Sequence, residues 1–298
     1  MDPLLLRARG LWEDLARVPV SFAPTGGVHV VVSPESGLCP AGWVGAVTLG
    51  ESAIVTVPTE SAAVIVRGAL EGLSVEAVVD GTSIREVLPV ARVLGPAVLS
   101  YVSPEAFRPV EPGALRVEQL PAGHPELRRL EKTAGDGDAG EAALDEITSA
   151  AFVVREHGKV VAAAGYRAWP SRTAHIGVLT APEARGRGLA RLTGSATVTH
   201  ALAAGLLPQW RARPPASRRV AATLGFEDLG FQLSVEIVPS VKTGMPRCFS
   251  APRKRSRIGP LQDSGEMSVM VVDLGVASVV AKALGKNFDD AARPVTSS

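Results

Sequence analysis

Short, mostly apolar runs recur along the first third of the chain, which predicts strands that bury one face or both. Between these stretches the apolar positions recur three and four residues apart, as on a helix. The elements predicted here are a helical face at Leu4, Leu5, Leu11, Trp12 and Leu15, strands at 28–32, 43–49, 53–57, 75–79 and 97–102, and helices at 60–73, capped by Thr59, and 83–94.

After a break, the periodic spacing of apolar residues resumes at residue 115 and ends near residue 237. The spacing predicts strands at 115–119, 152–156, 159–166, 175–180, 207–212 and 231–237, with the second and third joined as a hairpin through His157 and Gly158. Helices are predicted at 125–132 and 141–148, after residue 188 and from Pro215 onward, with a flexible loop over 133–140.

Breaker residues divide the chain into four parts. Pro104, Pro109 and Pro112, with Gly113, predict a linker over 106–113 between a mixed α/β domain at 1–105 and a second domain at 114–238. Core periodicity is lost over 239–298, so this tail is expected to be partly disordered. Its basic run at 252–257 is interpreted as a solvated segment rather than a nucleic-acid contact.

Composition narrows the classes of function. The formal net charge of +1 gives no global case for binding nucleic acid or an anionic membrane. The two cysteines, Cys39 and Cys248, form neither a disulfide framework nor a metal cluster, and the start of the chain is a poor secretory signal, so a cytoplasmic setting is expected. The Gly-Asp-Gly-Asp-Ala-Gly run at 135–140 has too few oxygen ligands for calcium, and no metal is expected.

The segment 174–190 carries the clearest chemistry. An apolar strand leads through a proline turn into Arg185, Gly186, Arg187 and Gly188, and a helix follows. The first N–H groups of a helix have no intrahelical acceptor, and glycines let phosphate oxygens approach the main chain, so this loop predicts a phosphate cradle. It lacks the Lys-Ser/Thr pair of a nucleotide loop and the third glycine of a dinucleotide loop.

The loop instead resembles the acetyl-CoA loop of the GCN5-related N-acetyltransferases, the GNAT superfamily, with the signature Arg/Gln-x-x-Gly-x-Gly/Ala. Arg185, Gly188 and Ala190 fill those positions, and the block at 206–237, with its Ser-Arg-Arg-x-Ala helix and Leu-Gly-Phe end, resembles the second half of that fold. The resemblance covers about residues 115–238. It implies an α/β (α+β) GNAT fold, a mixed central sheet flanked by helices, here preceded by a smaller mixed α/β domain.

The resemblance also implies where acetyl-CoA, the co-substrate, would bind. Pantetheine would lie in a V-shaped gap between the strands at 175–180 and 207–212, and its expected contacts form one set. These residues are Val178, Leu179 and Thr180 through the main chain, Arg185, Gly186, Arg187, Gly188, Leu189 and Ala190 around the pyrophosphate, and Ser217 on the following helix.

The implied reaction is acetyl transfer to a primary amine by direct attack, with the amine on a small molecule or a protein. His175 is the first candidate general base and Glu156 the second. The protein could also form a homodimer.

Two departures from the family pattern favour a second hypothesis, a non-catalytic CoA-binding sensor or regulatory module. Pro214 stands where the family often has Asn, and residues 220–223 contain no Tyr to protonate the leaving thiolate.

Overall fold

The computed structural model describes residues 2–238. The expectations for the tail at 239–298, including Cys248 and the basic run, lie outside these residues. In the described part the helices are α1 (Pro3–Leu15), α2 (Glu60–Leu70), α3 (Gly81–Val87), α4 (Pro125–Ala134), α5 (Asp136–Ala142), α6 (Leu189–Ala203) and α7 (Pro215–Thr223). The strands are β1 (Gly27–Val32), β2 (Val44–Leu49), β3 (Ser52–Val57), β4 (Val90–Tyr101), β5 (Val117–Leu120), β6 (Ala151–Glu156), β7 (Lys159–Trp169), β8 (Thr173–Thr180), β9 (Leu207–Ala212) and β10 (Glu227–Ile237).

All ten strands belong to one mixed sheet, in the order β1-β3-β2-β10-β4-β9-β8-β7-β6-β5. The long strand β4 lies between β9 and β10 and is antiparallel to both. On its other edge β10 pairs with β2, again antiparallel. The predicted domain division at residues 106–113 stays a prediction, but strands from both sides of that boundary share a single sheet.

Two predictions in the first third are wrong, and local chain chemistry explains both. Residues 77–79 form a 3-10 turn instead of a strand, and Asp80 then caps α3 by accepting a hydrogen bond from the Ser83 amide at 2.8 Å. The helix predicted to run to residue 94 ends at Val87, because Pro89 forces Leu88 into an extended conformation (φ −125°, ψ 146°). The chain continues from there as β4.

The predicted loop at 133–140 and the predicted helix at 141–148 are also corrected. Residues 136–142 form α5, with Asp136 and Asp138 in its first turn, where carboxylates favour the positive end of a helix. Ala143 then adopts a left-handed conformation (φ 46°, ψ 48°), which ends the helix. A 3-10 turn at Leu144–Glu146 leads into β6.

Alternate side chains of β7, β8 and β9 separate an apolar face from a polar one. On one face Tyr166, Ile176 and Trp210 pack against Val198 and Ala201 of α6. The residues next to them in sequence, Arg167, His175 and Gln209, lie on the opposite face. The sheet therefore packs against α6 and α7 on one side and carries its charged side chains on the other. Helices α1 and α5 partly cover that second face, since Trp12 contacts Trp169 and Ala142 lies against Gly177.

Candidate functional site

The parallel strands β8 and β9 separate soon after they meet. They pair over only three positions, Thr173 with Leu207, Ala174 with Pro208 and His175 with Gln209. Beyond these pairs β8 continues to Thr180 and β9 to Ala212 without further pairing between them. The main chain of residues 178–180 consequently has no β9 partner, which is the arrangement that the family resemblance implied.

At the far end of β8 the chain turns into α6 through two glycines in the left-handed conformation. Gly186 has φ +77° and Gly188 φ +78°, and a Cβ on either would meet no atom within 4 Å. Gly188 is the N-cap of α6, and no side chain caps this end of the helix. The amides of the first turn, beginning at Leu189 and Ala190, are therefore available to an anion together with the positive end of the helix dipole.

The two arginines of this loop are held by carboxylates. Arg185 pairs with Asp138 of α5, and its Nε donates to the Thr180 carbonyl at 3.4 Å. Arg187 makes a two-pronged pair with Glu156 at 2.5 and 2.9 Å. The hydrogen bonds from Arg187 lower the pKa of the Glu156 carboxyl, so Glu156 is an anion beside the loop.

The remaining predicted cofactor residues differ in what they expose. The side chains of Leu179 and Leu189 are buried in the core, so only their main chains face outward. Thr180 Oγ1 is a buried oxygen without a hydrogen-bond partner among residues 2–238, at the end of the gap. Ser217 Oγ accepts a hydrogen bond from Trp210 Nε1 at 2.9 Å, which ties the first turn of α7 to β9.

A pocket lies on the polar face where β8 and β9 begin to part. Gly177 makes room for its wall, because a Cβ there would lie 2.0 Å from the Ala142 carbonyl oxygen. The residues that line it are Leu94, Gly95, Ala97, Gly140, Glu141, Ala142, Ala143, Glu146, Ile147, Arg167, Trp169, His175, Gly177, Arg211, Arg213, Gln232 and Ser234.

His175 lies in this pocket as a neutral imidazole. Its Nδ1 is 2.5 Å from Gln209 Oε1, and its ring stacks on Trp169 with centroids 4.1 Å apart. Burial, and next the charge of Arg211, lower the pKa of His175 to about 3. Because an amide oxygen only accepts, Nδ1 carries the proton and Nε2 is the unprotonated nitrogen.

His175 and Glu156, the two predicted bases, are not brought together. Glu156 contacts the phosphate-loop arginine, whereas His175 lies toward the other end of β8, with four residues between it and Thr180, a distance of roughly 16 Å along the strand. Tyr166, on the apolar face, bonds through its hydroxyl to His200 Nδ1 at 3.2 Å and does not line the pocket. Among residues 2–238 no group of three or more His, Cys, Asp or Glu side chains could hold a metal ion.

The pocket contains charged residues that the motifs did not single out. Glu146 accepts from Arg167 at 2.6 Å, and Glu141 pairs with Arg213. Burial raises the pKa of the Glu146 carboxyl. The sequence did carry a signal for this face, because Gln209 and Arg211 alternate with apolar residues along the interior strand β9, and Arg213 follows its last residue in the same alternation.

Comparison with known proteins fits this geometry. Residues 149–230, from the start of β6 into β10, match the family model described as GNAT acetyltransferase. The chain contains a GNAT acetyltransferase domain. The match includes β8, the glycine loop, α6 and β9.

Solved structures from the GNAT family resemble the chain only distantly. An acetyltransferase of Novosphingobium aromaticivorans is 23% identical over 49% of this chain and 65% of its own, with a TM-score of 0.40. A GCN5-related N-acetyltransferase of Kribbella flavida is 20% identical over 54% and 64%, with a TM-score of 0.41. This chain thus spans less than two thirds of either protein. No curated protein matches it.

Within the described residues, no helix has the length and apolar character needed to cross a bilayer.

Proposed function

We propose that this protein transfers an acetyl group from acetyl-CoA to a primary amine. The observation that carries the proposal is the parting of β8 and β9 after His175 and Gln209. The gap between β8 and β9 extends from the charged pocket at one end to the uncapped N-terminus of α6 at the other. A GNAT domain uses acyl-CoA in general, and an extended thioester with its pyrophosphate at the helix would bring the acyl carbon toward the pocket.

The residues present fit acetyl-CoA. The first-turn amides of α6 and the two left-handed glycines suit a pyrophosphate, and the unpaired main chain of residues 178–180 suits the amides of pantetheine. The buried Thr180 Oγ1 offers a hydrogen bond that the described chain does not use. Arg185 and Arg187 would exchange some of their contact with Asp138 and Glu156 for phosphate oxygens.

In the proposed reaction the neutral amine attacks the thioester carbon. A C–N bond forms, the C–S bond breaks, CoA leaves as a thiolate, and the amine proton passes to a base. Glu146 is better suited to take this proton than His175. Burial moves the pKa of Glu146 upward, toward neutrality, whereas the pKa of His175, about 3, makes the imidazole a weak acceptor at neutral pH.

The test is CoA thiol release from acetyl-CoA over a panel of primary amines, with the Glu146→Gln variant beside the native chain. Turnover with at least one amine, and a fall in kcat of about 10²-fold in Glu146→Gln, is the expected result. Glu86→Gln, which changes an exposed carboxylate of α3 outside the pocket lining, is the matched control and should retain activity.

The second candidate function is a CoA-binding sensor without turnover. It is favoured by Pro214, which caps α7 with neither a side-chain amide nor an N–H, and by the lack of Tyr at 220–223. Tight acetyl-CoA binding with no thiol release above the uncatalysed rate, for every amine tested, would support the sensor and reject the transferase.

A further inference from the structure

The polar pocket has an unbalanced charge. Three guanidinium groups, those of Arg167, Arg211 and Arg213, line it together with two carboxylates, those of Glu141 and Glu146. Each carboxylate already pairs with an arginine, Glu146 with Arg167 and Glu141 with Arg213. One positive charge of the pocket, on Arg211, is therefore left without a counter-charge in contact.

The surroundings of Arg211 show this imbalance directly. Its Nη1 donates to the neutral amide oxygen of Gln232 at 3.1 Å, and no carboxylate among residues 2–238 forms an ion pair with it. Burial lowers the pKa of Arg211, and only the more distant charge of Glu146 opposes that effect. A partly buried guanidinium without an anionic partner is unfavourable, and an anion that enters the pocket would relieve it.

A second donor of the pocket wall also lacks a partner. Trp169 lines the pocket and is more than nine-tenths buried, and its Nε1 has no hydrogen-bond acceptor among residues 2–238. The neighbouring His175 stacks on the Trp169 ring and is neutral, so it does not change the net charge of the pocket. Buried donors without acceptors are uncommon in folded proteins, and a bound ligand, ion or water molecule can supply the missing acceptor.

We infer that the amine acceptor carries a carboxylate, which binds to Arg211 while the amino group lies toward Glu146. This inference rests on the proposed function and names the substrate class for the same pocket, a zwitterion of the α-amino-acid type. A guanidinium fork matches a carboxylate with two parallel hydrogen bonds. A dianionic phosphate fits less well, because Glu141 and Glu146 line the same pocket and would repel it.

The position of Arg211 on β9 supports this role. It lies two residues beyond Gln209, the last residue of β9 that pairs with β8, so it stands at the start of the gap. A carboxylate bound there would place an α-amino nitrogen, two bonds from the carboxyl carbon, near the point where β8 and β9 diverge. The thioester carbon of a pantetheine chain laid along residues 178–180 would approach the same point.

The first arm of the experiment measures turnover. The standard amino acids are compared with their primary amides as acceptors. O-phosphoethanolamine is included to test whether a phosphate can replace the carboxylate as the anionic group of the acceptor. We expect kcat/KM for the preferred acid to exceed that of its amide by about tenfold or more. Arg211→Met should remove this preference by raising KM for the acid alone, and Arg211→Lys should keep part of it because the charge remains without the fork.

The second arm measures binding without turnover. In saturating CoA, the preferred amino acid should raise the melting temperature of the native chain, and its amide should not. Arg211→Met should lose this shift, whereas the control Arg92→Met, an exposed arginine of β4 paired with Glu236, should retain it. The melting temperature of ligand-free Arg211→Met should equal or exceed the native value, because the variant removes an uncompensated charge; a structural arginine would give a decrease.

The outcomes separate this inference from the proposed function. Turnover in which amides, simple amines or O-phosphoethanolamine match the acids would leave the transferase standing and overturn the carboxylate assignment. An acid preference that persists in Arg211→Met would overturn the role of Arg211. Acid-specific binding with no CoA release would support the pocket chemistry while rejecting the transferase, and failure of every carboxylated amine to bind would reject the inference.

Discussion

Replacing His175 tests whether burial and the positive charge of Arg211 lower the pKa of this imidazole in the folded chain. In the native chain, burial and the charge of Arg211 hold the pKa of His175 at about 3, against 6.5 for an unperturbed imidazole. The unfolded chain therefore binds a proton between these two pH values that the folded chain does not. Folding stability from this residue is complete above pH 6.5 and is lost as the pH falls toward 3.

The size of the effect follows from that interval. Each unit of pKa difference corresponds to about 1.4 kcal/mol, so the free energy of unfolding should fall by about 2 kcal/mol from this residue alone between pH 7 and pH 5. His175→Gln keeps an amide donor for Gln209 and has no titrating group. Its stability should therefore lack this component of the pH dependence.

The assay is urea unfolding of both chains at pH 7 and pH 5. The native chain should lose about 2 kcal/mol more than His175→Gln over this range. Equal losses in the two chains would refute the reasoning, because His175 would then titrate in the folded state much as it does in the unfolded one.

Three further results are expected. Gly177→Ala places a Cβ 2.0 Å from the Ala142 carbonyl, so it should destabilise the fold by about 1–3 kcal/mol and weaken acceptor binding more than CoA binding; native stability and KM would contradict the contact. Glu156→Gln releases Arg187 from its pair and should leave kcat near native with CoA affinity equal or higher; a fall in kcat of about 10²-fold would return Glu156 to the role of base. Deletion of residues 1–105 removes β4 from between β9 and β10 and should abolish the cooperative melting transition, whereas a folded fragment that binds CoA would restore the two-domain division.

Much of the second half of the fold was predictable because its signals are local. The glycine loop, the turn at His157 and Gly158, and the strands at 175–180 and 207–212 depend on neighbouring residues and recur in the structure at or near the predicted bounds. The cap at Thr59 is confirmed in the same way, since its Oγ1 accepts from the Ala62 amide at 3.2 Å.

The sheet order and the pocket could not be obtained from local pattern. Insertion of β4 between β9 and β10 joins residues about 130 positions apart in sequence, and no periodicity encodes that partner. The pocket depends on it, because Gln232 of β10 reaches Arg211 of β9 across β4. The low basicity of His175 likewise comes from burial and from Arg211, which only the folded sheet brings close.

Calorimetric titration with acetyl-CoA of the native chain and Gly188→Asp tests the central claim most directly. The variant adds a carboxylate where the loop meets α6, at a residue with φ +78°, and Gly72→Asp is the control because it has φ +82° and an equally open surrounding. We predict that Gly188→Asp lowers affinity at least tenfold, about 1.4 kcal/mol, while Gly72→Asp binds like the native chain. Unchanged binding by a folded Gly188→Asp variant would contradict the assignment of the α6 N-terminus as the acetyl-CoA site.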